Sequence, residues 1–243
     1  MQPLESQPAL IDQAYERLVA AIASGTLAAG RRIRQEELAA MLGVSRQPIS
    51  HALQLLKRQG LVEEAGKRGL IVCGIDAARI RELYQVRTAL DALAARLAAA
   101  RIAEGDASSA ERREAQQALA AGLALGPQDA VAAYIDADVA FHTAIYGLSG
   151  NRALDETMAA QWPHMRRSMG VVLDDPEQRP LVWAEHSEIL RLVLAGDGDA
   201  AEAAARHHTA RAGAETARRI AQRDHSSEET RNAAVRAAAR AIR

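Results

Sequence analysis

Asp138 and His142 stand four residues apart, a spacing that puts a carboxylate and an imidazole on one face of a helix, where both can point at one ion. Val131, Ile135 and Ile145 carry the same stripe onward, so the pair lies inside an apolar seam. Three other segments share this feature. His186 interrupts Val182, Ile189 and Val193; Arg87 interrupts Leu83, Leu90, Ala94 and Leu97; Arg166 interrupts Trp162, Met169 and Leu173. Charged side chains almost never bury unless they are paired or bound to a metal. If the seams face inward, they enclose a polar site within a helical core. A carboxylate and imidazoles suit a borderline divalent cation such as zinc, nickel or manganese. The alternative is a set of satisfied core histidines with an Asp–His hydrogen bond.

A second chemistry is written near the amino terminus. Gln35 to Leu42 has Leu38, Ala39 and Leu42 on one face, Gly43 follows where a left-handed turn residue belongs, and Ser45 is placed to cap the next helix. Ile49, Ala52, Leu53 and Leu56 give that helix a buried face, and Gly60 closes it. Two helices joined by so short a turn present the first residues of the second to base edges in a DNA major groove. Here those residues are Arg46, Gln47, Ser50 and His51. Arginine can grip guanine O6 and N7 through two hydrogen bonds, and glutamine can do the same for adenine. Arg31, Arg32, Arg34, Lys57, Lys67 and Arg68 are placed to touch phosphates, which position a domain without reading sequence.

The elements that must hold these residues follow from periodicity. Ile11, Tyr15, Leu18, Val19 and Ile22 make a helix ahead of the turn. Leu61-Val62 and Leu70-Ile71-Val72 read as strands around the basic, glycine-containing tip Ala65-Gly66-Lys67-Arg68-Gly69. Beyond Gly74 the pattern is helical throughout: one long helix capped by Asp76 and ending near Ala103, then helices near 107–125, 128–148, 152–172, 178–195 and 199–223. The expected fold is mainly α, an amino-terminal winged helix-turn-helix with a small β-hairpin followed by an all-α bundle. Domains are expected at 1–74 and 75–224, with an Ala- and Arg-rich tail at 225–243 that is either an undocked helix or disordered. Hydrophobic residues make up 49% of the 243, aromatics only 3%, so cores are built from aliphatics and alanine. The net charge is −1, which names no partner, although residues 1–74 hold 9 Lys+Arg against 7 Asp+Glu. Cys73 is the only cysteine, excluding an internal disulfide and fitting a reducing cytoplasm. No apolar run is long enough for a membrane span, and no signal peptide is expected.

The stretch Tyr15-Glu16-Arg17-Leu18, Ile22-Ala23-Ser24-Gly25, Gly30, Glu37-Leu38-Ala39, Leu42-Gly43-Val44-Ser45-Arg46, Pro48, Ala52-Leu53, Leu56 and Gly60-Leu61-Val62 resembles the GntR family of regulators. Two departures stand out: Ser50 occupies a position where this branch usually has arginine, and Glu36 one where a basic residue is common. The resemblance implies a DNA-facing set of Arg34, Ser45, Arg46, Gln47, Ser50 and His51, with Lys67, Arg68 and Gly69 of the wing.

Residues 79–210 in turn resemble the FadR-type ligand-binding domain called FCD, through Glu82 to Arg87, Ala92 to Ala100, Asp138-Val139-Ala140-Phe141-His142, Ser149-Gly150-Asn151, Glu185-His186 and Ala203 to His208. That likeness implies a divalent metal on Asp138, His142, His186 and one of two adjacent histidines. The family spacing favours His208, with His207 as the fallback; periodicity cannot choose, because the last helix is alanine on every side. It further implies a small carboxylate effector at the metal, helped by Arg87 and Arg166, and a homodimer whose reading helices meet two half-sites of double-stranded operator DNA. Arg87 has a plainer alternative in an ion pair with Asp91, and Arg166 in simple solvation. The expected function is a ligand-controlled transcriptional regulator, read as a repressor, with zinc first among the metals. Its rivals are a metal-dependent hydrolase using the same Asp and His residues, and a sensor for which the ion itself is the signal. Against the hydrolase, no HExxH-type element sets a base beside the ligands.

Overall fold

The structure, a computed structural model, describes residues 8–66 and 69–241, with side chains for 10–66 and 69–223. Lys67 and Arg68 of the expected DNA-facing set, and the side chains of the tail, lie outside the described residues. The chain divides by packing into two units, 1–75 with 160–170, and 76–159 with 171–243.

In the first unit, α1 (Pro8–Ala23), α2 (Gln35–Leu42) and α3 (Arg46–Arg58) enclose a core of Leu18, Ile22, Leu38, Ile49, Leu53 and Leu56. Gly43 closes α2 in the left-handed region at φ 66°, returning its N–H to Ala39 and Ala40. Ser45 takes the cap position of α3 in extended conformation but makes no capping hydrogen bond through its hydroxyl. The expected hairpin is β2 (Val62–Glu64) with β3 (Leu70–Val72), in register Val62 to Val72. A third strand, β1 (Arg32–Ile33), adds to the far side of β3 and makes the order β1-β3-β2, all antiparallel. Two residues carry no readable alternation, so the sequence gives no sign of β1.

The second unit is helical: α4 (Ala77–Glu104), α5 (Ser109–Leu123), α6 (Val131–Ser149), α7 (Arg152–Ala159), α9 (Gln178–Leu194) and α10 (Gly198–Ala241), with α8 (Trp162–Leu173) shared between the units. Asp76 caps α4 by accepting from the Ala78 N–H at 2.9 Å. The single helix expected over 152–172 is two helices, because Pro163 cannot continue a helix from Ala159 and instead opens the first turn of α8. Residues 160–170 group with the first unit, where His164 Nε2 donates to the Gln59 carbonyl and Arg167 to the Cys73 carbonyl, each at 2.6 Å. The last helix runs to Ala241, so the backbone of the expected tail follows the helical one of its two readings as far as it is described.

Small residues set the helix spacing around α4 and α9. A Cβ on Gly213 of α10 would fall 2.6 Å from Tyr84 Cβ on α4, and one on Gly122 of α5 would fall 1.9 Å from the Trp183 ring on α9. No helix among the described residues is long and apolar enough to cross a membrane.

Candidate functional site

Three helices of the second unit bring polar side chains to one point. Asp138 and His142 come from α6, His186 from α9, His208 from α10, and all four are buried. One ligand atom from each lies within 4.8 Å of every other. His186 Nε2 is 3.1 Å from His208 Nε2 and 3.5 Å from Asp138 Oδ1, while His142 Nε2 is 3.8 Å from Asp138 Oδ2. Atoms bound to one ion at about 2.0–2.2 Å sit roughly 3–3.5 Å apart, so the 3.1 and 3.5 Å spacings around His186 match a common first-row cation, and the others are wider. His207 is exposed, on α10 next to the buried His208.

The protonation states suit the same reading. Burial pushes the pKa of His142 and His186 well below the ordinary imidazole value, and Arg87 adds to it. Both rings are therefore neutral, the form that donates to a metal. Burial pushes the Asp138 carboxyl up, against the pull of Arg87, so its charged form lacks compensation from the protein alone.

A ring of further groups fixes the imidazoles, and periodicity alone did not reveal it. His208 Nδ1 is 2.7 Å from Glu185 Oε2, and Arg211 grips the same carboxylate with two hydrogen bonds of 2.6 Å. Burial alone would raise the Glu185 carboxyl, but the bonds from His208 and Arg211 outweigh it and hold it at about 2. An ionised carboxylate only accepts, so His208 carries a proton on Nδ1 and turns Nε2 to the cluster. Asp91 serves His142 in the same way from α4. Its Oδ2 lies 3.5 Å from His142 Nδ1 and accepts from Arg87 Nε at 3.1 Å and Thr209 at 2.7 Å, and its Oδ1 accepts from Tyr146. His186 is held by packing instead: Phe141 stacks on it at 4.2 Å and the Trp183 ring meets its edge at 4.9 Å, while its Nδ1 is buried without a hydrogen-bond partner.

Arg87 is buried between Asp91 and Asp138, 3.1 and 3.9 Å away, so the ion pair foreseen as its plainer role is present. Burial works against its charge, but Asp91, together with Tyr146, Tyr84 and Asp138, outweighs that and keeps it protonated. Arg166 is on α8. It is half-buried on the stretch of α8 that belongs to the first unit, and burial lowers its pKa.

In the first unit, Arg46, Gln47 and Ser50 line the opening turns of α3, and Arg46 NH1 donates to Glu36 Oε1 at 2.8 Å. Arg31 and Lys57, expected at phosphates, pair with Glu37 and Glu64 at 2.5 Å. In the wing, a Cβ on Gly69 (φ 133°) would fall 3.0 Å from Arg32 Nε, so this position favours glycine twice over.

Comparison with known proteins places both units. Residues 10–72 match the family of bacterial regulatory proteins named gntR, and residues 82–211 match the FCD domain. An HTH-type transcriptional regulator in an unstable DNA locus of Streptomyces ambofaciens is 32% identical over 199 residues, 80% of this chain and 79% of that one. A probable D-xylose utilization operon transcriptional repressor of Paenarthrobacter nicotinovorans is 29% identical over 203 residues, covering 82% and 84%. The crystal structure of a putative GntR transcriptional regulator from Rhodococcus sp. RHA1 shares the fold, with a TM-score of 0.72 at 24% identity over 86% of this chain and 97% of that one.

Proposed function

The chain belongs to the GntR family of transcriptional regulators, in the branch with a carboxy-terminal FCD domain, and from that premise we propose that it is a metal-containing repressor released from DNA by a small organic anion. The observation that carries the metal is the His186–His208 pair. Two buried Nε2 atoms 3.1 Å apart, one of them with its proton committed to Glu185, converge beside a carboxylate. Asp138, His142, His186 and His208 would hold a divalent cation, zinc first and nickel or manganese after it. When bound, that ion supplies a Lewis-acidic anchor for an oxygen anion.

Charge selects the effector class. Among the described residues at the cluster, the buried charges are one cation, Arg87, and two carboxylates, Asp91 and Asp138, with the neutral rings of His142 and His186 beside them. A divalent ion turns that net negative core into one with a single positive charge in excess. A monocarboxylate neutralises the excess and gives each of its oxygens a charged partner, whereas a neutral sugar leaves the excess buried. Arg87 would face the anion while keeping Asp91. An effector role for Arg166 rests on its sequence seam alone. The repressor sign is supported by the name of the Paenarthrobacter relative.

DNA binding would run through Arg34, Ser45, Arg46, Gln47, Ser50 and His51, with wing residues Lys67, Arg68 and Gly69, in a homodimer that spans two half-sites. The test is a titration of the full-length protein on duplex DNA selected from a randomised library. The protein is metal-stripped or zinc-loaded, with a panel of monocarboxylates, dicarboxylates and neutral sugars. Release by a carboxylate only in the zinc-loaded protein is expected. Full release by zinc alone would make the ion the signal and overturn the effector; indifference to zinc removal would overturn the metal's role.

A further inference from the structure

The Arg46–Glu36 pair is out of place on a surface that meets a polyanion. Arg46 is the first residue of α3 and Glu36 the second of α2, so the pair ties together the starts of the two helices flanking the turn. Both side chains are 68% exposed, and an exposed pair of this kind adds little to stability. Its carboxylate also repels phosphates, which lowers affinity for any DNA. A pair that contributes little to the fold and opposes general binding needs another role, and its geometry supplies one.

A guanidinium has five N–H donors in one plane. The hydrogen bond to Glu36 uses NH1, which leaves Nε and NH2, one whole edge of the fork, for another partner. Two donors on one edge are what guanine O6 and N7 accept. The Glu36 carboxylate lies in the first turn of α2, where its own backbone N–H, Arg46 and Arg34 hold it below the usual carboxylate range, so it stays charged as the partner of Arg46. The hydrogen bond biases the arginine toward this one rotamer, which lowers the ordering cost of a long side chain on binding.

The geometry points to Glu36 as a specificity-determining residue: it braces Arg46 so that the free edge of the guanidinium meets one guanine in each half-site, trading general phosphate affinity for discrimination. The paired states of Arg31 with Glu37 and Lys57 with Glu64 lean the same way, since two more cations of this unit are tempered by carboxylates. Ser50, half-buried one turn after Arg46, leaves the ground beside it to a short side chain.

The experiment is selection and sequencing of a randomised duplex library by the full-length protein, as wild type, Glu36→Gln, Arg46→Ala and the double variant, with affinity for unselected duplex measured across a salt series. Arg46→Ala should flatten one G·C position per half-site. Glu36→Gln should reduce the guanine preference at that same position by about 3–10-fold, part of what one two-bonded arginine contact supplies. The same variant should bind unselected DNA more tightly. In the double variant, Glu36→Gln should change nothing further at that position, because its effect passes through Arg46. An unchanged preference in Glu36→Gln would overturn the proposal and reduce Glu36 to a general charge. An effect of Glu36→Gln that persists without Arg46 would overturn the bracing.

Discussion

Replacing Glu185 by glutamine tests whether the polar core is built around an ion. Glu185 accepts the Nδ1 proton of His208 and two hydrogen bonds from Arg211, so its charge both orients the ring and enriches the Nε2 lone pair. Glutamine keeps the size and one acceptor, but it removes the charge and turns an amide toward Arg211 or His208. Losing such an outer partner of a ligating histidine weakens metal binding by about 10–100-fold, or about 1.4–2.7 kcal/mol. The Glu185 side chain is 16% exposed and Arg211 23%, so water screens part of the effect, and the lower half of that range is expected. His208→Ala removes a donor outright and should exceed it. His207→Ala, on the exposed side of α10, should stay within about twofold of the wild type. Competition for zinc against a chromophoric chelator, with melting curves to verify folding, measures all three. The reasoning fails if His207→Ala loses as much zinc affinity as His208→Ala. It also fails if folded Glu185→Gln protein binds zinc as tightly as the wild type.

Three further outcomes follow from packing and charge. Gly122→Ala should cost about 2–3 kcal/mol and lower Tm by roughly 5–10 °C, because its Cβ would overlap Trp183, whereas Gly147→Ala, at an exposed position of α6, meets nothing and should raise stability by up to about 1 kcal/mol; an equal loss in both would remove the steric account. Arg87→Met leaves Asp91 and Asp138 buried without their cation, so the metal-free protein should lose about 3–5 kcal/mol and zinc should restore part of it; a variant as stable as the wild type without zinc would contradict the charge count. Arg101, with Ser108, holds the Glu111 carboxyl at about 2, below its ordinary 4.5. A lowered pKa gives stability that is present above about 4.5 and lost as the pH falls toward 2, so urea midpoints should fall over that window in the wild type and fall less in Glu111→Gln.

The legible parts of this chain are those where two faces of an element differ in chemistry. Leu38, Ile49, Leu53 and Leu56 against Arg46, Gln47 and His51 make the helix-turn-helix readable, and Gly43 marks its turn with a backbone conformation other residues rarely adopt. Asp138 and His142 are readable for the same reason, as polar residues inside an apolar stripe of α6. Where contrast is missing, reading stops. β1 is two residues long, and the break before α8 hides behind a continuous helical pattern that Pro163 alone interrupts.

The last helix shows why contrast is the limiting quantity. Between residues 198 and 223, Ile220 is the only large apolar side chain to mark a face. Counted back from it at about 100° per residue, His208 falls roughly 120° to one side and His207 roughly 140° to the other, so neither is clearly nearer the marked face. The structure separates them through residues with almost no side chain: Ala201, Ala205, Gly213 and Ala217 form the face pressed into the bundle, with Gly213 against Tyr84. A methyl group or a hydrogen is what lets α10 come close enough to α4 for Thr209 to reach Asp91, and for His208, beside it, to enter the cluster. The alanine that erases the pattern from the sequence is therefore the feature that assembles the site. Glu185 and Arg211 follow from the same approach, since they come from different helices and meet only once α9 and α10 have packed.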